Sequence, residues 1–265
     1  MLRHACDRAF AAVGLVLALV ASPVCAQLAN SKHNLTSGGP GVTPSGDAEE
    51  ICVFCHTPIG ADASAAVPQW NRALPSPAMY RTYDTLGTST LTGRLAPVGS
   101  VSLACLSCHD GAQAMSAVIN TSSSGRAEDT WAGTRSASGA SVTSYSNLGT
   151  DLRDDHPIGV QYGGGGITEA APGAMTNNPD FRRPQSAVLN EVRVWWIETE
   201  AGASATRRKT DLSLYTRTRT DGYTGQTVAE PFVECASCHD PHIDKALFLR
   251  VSNARSALCL ACHAI

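Results

Sequence analysis

The pentapeptide Cys-x-x-Cys-His occurs four times: at Cys52, Cys55 and His56; at Cys105, Cys108 and His109; at Cys235, Cys238 and His239; and at Cys259, Cys262 and His263. This is the attachment pattern of a c-type haem. The spacing puts both thiols on one side of a turn, where they can add to the two vinyl groups of one porphyrin. The adjacent His then meets the iron from beneath the ring. A thioredoxin-like pair does not need His after its second Cys every time, and a zinc site needs four donors that converge. The repeat therefore predicts four covalently bound c-type haems, held through the eight motif cysteines, with His56, His109, His239 and His263 as proximal iron ligands.

Arg3 and Arg8 precede an apolar run from Ala9 to Ala21, broken by Gly14, and Val24, Cys25 and Ala26 close it with small residues. This reads as a signal peptide over 1–26 and predicts export, to the periplasm or beyond the cell. The apolar run is too short for a permanent membrane span, and no later segment reaches that length. Cleavage after Ala26 would remove Cys6 and Cys25, leaving every remaining thiol inside a motif and none for a disulfide. The whole chain is mildly acidic, net −3, without a basic run, so the charge pattern argues against a nucleic-acid partner.

Aromatic residues make up only 6% of the chain, and Gly, Ser, Thr and Pro are abundant, so side chains alone should build a modest core. The expected fold class is a multihaem cytochrome of mostly irregular chain and short α-helices, with a small β-hairpin or sheet, in which the haems form the core. The expected divisions are an N-terminal dihaem region over 27–120, a Gly/Ser-rich linker with a β-containing insert over 121–230, and a C-terminal dihaem region over 231–265. Residues 192–197 and 212–216 are rich in β-branched and aromatic side chains and read as strands. Because side chains alternate across a strand, one of Trp195 and Trp196 is expected to face solvent or a partner. Trp70 is expected to pack at a porphyrin edge.

Three stretches resemble tetrahaem c-type cytochromes with doubled CxxCH motifs. They are Ser31-Lys32-His33-Asn34-Leu35 with Glu50 to Pro58 and Trp70-Asn71-Arg72; Ser102 to Gly111 with Asp155-His156-Pro157; and Cys235 to His242 followed by Leu258 to His263. The resemblance covers most of 31–265 and is weaker at 112–150 and 165–185. It implies electron transfer without enzymatic turnover. It also implies that His242 is a distal ligand, and it places Met79 in a stretch that relatives share. Some relatives polymerise into extracellular cytochrome filaments.

The sixth ligand decides what a haem iron does: a second His closes it, Met raises its potential, and an open position admits substrate. Outside the signal peptide and the motifs, His33, His156 and His242 remain. Since His242 follows His239 by only three residues, it should serve a neighbouring haem rather than its own. Three His cannot complete four irons, which leaves Met79, Met115, Met175, a His from another subunit, or an open site. The expected function is an exported carrier that passes single electrons between redox proteins or to an extracellular acceptor, with self-assembly into a haem chain as an extension. The alternative is a multihaem reductase with one open iron, acting on nitrite- or hydroxylamine-type substrates.

Overall fold

Valine, isoleucine and tryptophan dominate Val192–Ile197, side chains that suit a pleated and half-buried surface, and this segment forms an interior strand of an antiparallel sheet. The structure is a computed structural model that describes residues 27–36, 38–41, 50–112, 118–120, 146–200, 206–218 and 229–264. The predicted signal peptide, Met115 and most of the Gly/Ser-rich linker lie outside the described residues. Five strands run β1 (Val160–Gln161), β2 (Gln185–Leu189), β3 (Val192–Ile197), β4 (Leu212–Arg217) and β5 (Glu230–Val233), and their order across the sheet is β1-β5-β4-β3-β2. Every pairing is antiparallel. Strands β2 and β3 meet through a two-residue turn in which Asn190 and Glu191 have φ of 49° and 67°. Two successive positive φ values give the turn whose twist matches the strands it joins.

The strand β4 is shared along its length: Leu212 to Leu214 pair with β3, and Tyr215 to Arg217 pair with β5. The strand β5 runs across the division expected at 230/231. Its chain continues directly into the helix α2 (Cys235–Cys238), while α1 (Ser100–His109) and α3 (Ala257–Cys262) carry the second and fourth motifs. The first motif has no helix of its own, but the His56 N–H donates to the Cys52 carbonyl at 2.8 Å. The same bond closes the third motif, His239 to Cys235, at 3.1 Å and the fourth, His263 to Cys259, at 2.9 Å. One helical turn is thus the local form of the motif.

Two side-chain clusters anchor the sheet and the second motif. Tyr162, Ile167, Trp195, Ile197, Leu212, Leu214 and Ala261 form one, and Tyr80, Val98, Leu103, Leu106 and Leu152 form the other. Each fully buried aliphatic side chain stabilises by about 1.5–3 kcal/mol relative to exposure. The expectation that one of Trp195 and Trp196 faces outward is corrected: they are 1% and 2% exposed. The pleat does send them to opposite faces, but both faces are covered. Trp195 joins the first cluster, while Trp196 lies opposite Ser213, whose hydroxyl is capped by Arg207 Nη1 at 2.7 Å.

Candidate haem-binding site

A buried polar lock fixes α1 against α2. The Glu234 carboxylate accepts from Arg217 Nη1 at 2.9 Å, from Ser102 Oγ and from the Gly99 N–H, and it caps α2 in a reciprocal box with Ser237. Ser102 Oγ also accepts from the Cys235 N–H at 3.0 Å, so one hydroxyl ties the helix of the second motif to the first residue of the third. Gly99 is required there, because a Cβ would collide with the Arg217 guanidinium and with Glu234. Burial raises the Glu234 pKa above its ordinary value, while Ser102 and Arg217 pull it down.

A second lock joins the first two motifs. Asn71 N–H donates to the Cys55 carbonyl at 2.9 Å, and Asn71 Nδ2 donates to the Val53 carbonyl at 2.6 Å. The next residue, Arg72, is 1% exposed and donates from Nη2 to the Ser107 carbonyl at 2.9 Å, inside the second motif.

These locks bring the motifs together in chain order. The Cys55 thiol is pushed up to about 12, first by burial and then by Cys108 of the second motif. Cys105 of the second motif lies beside Cys235 of the third, and their interaction raises the Cys105 pKa and lowers that of Cys235. The Cys262 thiol is raised to about 12 by burial and then by Cys238, which links the third motif to the fourth. None of the eight described cysteines is in a disulfide.

The imidazoles are oriented by hydrogen bonds through Nδ1. His56 donates to the Pro68 carbonyl at 2.8 Å, His109 to Ser146 at 2.9 Å and His239 to Leu247 at 2.7 Å. A carbonyl can only accept, so Nδ1 carries the proton and Nε2 keeps its lone pair for a metal. His156 uses the Pro157 carbonyl at 3.1 Å, and His242 uses the buried carboxylate of Asp240 at 3.2 Å, which Arg250 holds from its other side at 3.4 Å.

His242 faces His56, with ring centroids 6.2 Å apart and planes 19° from parallel. His33 faces His109 at 6.1 Å with planes 63° apart. An imidazole nitrogen binds a first-row metal at about 2.0 Å, and its ring centre lies ~1.1 Å further on, so two axial imidazoles place their centroids roughly 6.3 Å apart. The centroid spacing of both pairs matches that distance. The His33 pKa is lowered to about 4, by burial and then by His109. His156 is lowered by burial, then by His263 and His239, so it stands near the last two motifs.

The remaining candidates lie elsewhere. Met79 ends the exposed turn Pro77–Met79 and is 47% exposed, and Met175 is 67% exposed. Trp70 is buried and meets the His56 ring edge-on at 6.0 Å. Sequence reasoning missed two aromatic neighbours: Phe248, stacked on His33 at 4.2 Å, and Phe181, 4.4 Å from His263. Nothing in their sequence surroundings marks them. The carbonyl acceptors were equally hidden, because any residue supplies one. Among the described residues, no three of His, Cys, Asp and Glu converge as a site for a bare metal ion, and no helix is long and apolar enough to cross a membrane.

A comparison with curated proteins gives no match. A family model described as a doubled CXXCH motif matches residues 228–264, the segment that holds the third and fourth motifs. That segment carries a doubled c-type haem-binding motif, which fits a c-type cytochrome acting as an electron carrier.

Proposed function

We propose that this protein is an exported tetrahaem cytochrome c that passes single electrons along four haems set in the order of their motifs. The observation that carries the reading is the spacing of two imidazole pairs, His56 with His242 and His33 with His109, each joining a motif His to a His outside the motifs. The motif cysteines would hold the porphyrins, and His56, His109, His239 and His263 would supply the proximal nitrogens. Bound haem supplies a reversible one-electron change at iron. The chain supplies fixed ligands, hydrogen bonds that raise imidazole basicity, and close spacing between successive motifs. In this reading the haems add to the two side-chain clusters as core.

His156, which stands near His263 and His239, would complete one of the last two irons, and no other His outside the motifs and the predicted signal peptide remains for the other. Met79 is the thioether candidate, though its turn must move to deliver it. A ligand from a neighbouring copy would make the protein a unit of an extracellular haem chain. An open iron would make it a reductase, and the shortage of His is what favours keeping that second reading.

Mass spectrometry of the purified protein should show four haem additions, and His242→Ala should convert one low-spin iron to high-spin. Fewer than four haems, or an unchanged spectrum in that variant, would overturn the reading. A carbon monoxide or nitrite difference spectrum then separates carrier from reductase: reaction at one iron supports the reductase, and none supports the carrier.

A further inference from the structure

Leu247 and Phe248 both adopt left-handed backbone, each with φ of 55°. This region is unfavourable for side chains with a Cβ, and such strain persists where surroundings over-determine it. The turn has two jobs. Its Leu247 carbonyl receives the Nδ1–H of His239 at 2.7 Å, and the Phe248 carbonyl receives the Asp240 N–H at 2.8 Å. Its Phe248 ring lies flat on His33, with centroids 4.2 Å apart and planes 7° from parallel. A single strained turn thus touches the imidazole of the third motif and the imidazole facing the second.

The stacked ring leaves His33 little freedom to rotate, since turning it would drive its edge into Phe248. The plane of His33 stands 63° from that of His109, whereas the planes of His56 and His242 are 19° apart. Neither ring of that second pair has a flat aromatic neighbour among the described contacts: Trp70 meets His56 edge-on at 87°. The angle between axial imidazoles has an electronic consequence. Parallel rings interact with the same iron d orbital and split the pair of π-type orbitals, whereas crossed rings leave that pair nearly degenerate. A crossed pair gives a highly anisotropic low-spin resonance and a more positive potential than a parallel pair.

We propose that Phe248, carried on the strained Leu247–Phe248 turn, is a positioning residue that fixes the plane of His33 and so gives the second-motif haem a crossed pair of axial imidazoles. The inference rests on the reading that His33 and His109 bind one iron. It makes the first and second haems electronically distinct although both have bis-His ligation.

Low-temperature electron paramagnetic resonance of the oxidised holoprotein tests it. The wild type should show a large-g, highly anisotropic signal beside a rhombic one; rhombic signals alone would overturn the proposal before any variant is made. Phe248→Leu keeps apolar bulk but removes the stack, and it should move the large-g signal toward the rhombic region and shift one midpoint potential downward. Phe248→Tyr should restore both. An unchanged resonance in Phe248→Leu would overturn the proposal while leaving the ligand reading intact. His33→Ala separates the two: one new high-spin iron supports the ligand reading, and none overturns that reading and the proposal with it.

Discussion

Replacing Glu234 with Ala removes the acceptor that Arg217, Ser102 and the Gly99 N–H share, and it removes the cap of α2. Arg217 has 7% side-chain exposure, so water cannot take over the lost contact, although its Nη2 keeps the Pro97 carbonyl at 2.7 Å. Breaking a buried ion pair from one side costs about 3–5 kcal/mol, because the other charge stays buried. Burial has already raised the carboxyl pKa, so desolvation is only partly offset by the pairing, which points to the lower end of that range. With about 1 kcal/mol more for the lost cap, the expected loss is about 4 kcal/mol. That is about a thousandfold in the ratio of folded to unfolded chains. Guanidinium unfolding of the holoprotein followed by far-ultraviolet circular dichroism measures it, and a slope of roughly 4 kcal/mol per molar puts the midpoint about 1 M lower. Removing both charges, with Arg217→Met and Glu234→Gln together, should cost less than the two single losses summed. A loss under about 1 kcal/mol in Glu234→Ala, or strict additivity in the pair, refutes the picture of a buried lock between the second and third motifs.

The same carboxyl gives a pH dependence. Its folded pKa is raised, so its contribution is fully present below the ordinary value of 4.5 and declines as pH rises above that value toward the folded pKa; wild-type stability relative to Glu234→Gln should fall over that window. A pH-independent difference in paired unfolding curves would contradict the burial. Trp195→Ala should destabilise by about 3–5 kcal/mol through the cavity left among Tyr162, Ile197 and Leu214, measured as a lowered denaturation midpoint. Asp240→Asn weakens the acceptor behind His242 Nδ1 and should raise the potential of one haem in a spectropotentiometric titration, while no shift would show that Asp240 leaves the ligand's basicity alone.

The motif turns and the two central strands were legible because their cause is local. Covalent attachment fixes the spacing of Cys and His, and β-branched and aromatic residues mark Val192–Ile197 and Leu212–Arg217 directly. The strand β5 was not legible. Glu230–Val233 contains Pro231, a poor strand former, and extends only because β4 and β1 flank it. The burial of both tryptophans depended on which segments cover the second sheet face, which alternation cannot tell. For His242, the short distance from His239 excluded its own haem, but the approach to His56 is set by tertiary packing. Phe248 was invisible because its contact depends on two left-handed residues that no turn signature announces.

The pairing of His56 with His242 stitches together positions 186 residues apart. Joined through one iron, they would close a loop comparable to that of a long-range disulfide, and a cross-link of such span removes on the order of 5 kcal/mol of chain entropy from the unfolded ensemble. The motif at His56 would then gain its full coordination only once the chain has been made as far as His242. A chain cut short before residue 242 would keep the haem of Cys52 and Cys55 attached yet offer its iron the imidazole of His56 without that of His242.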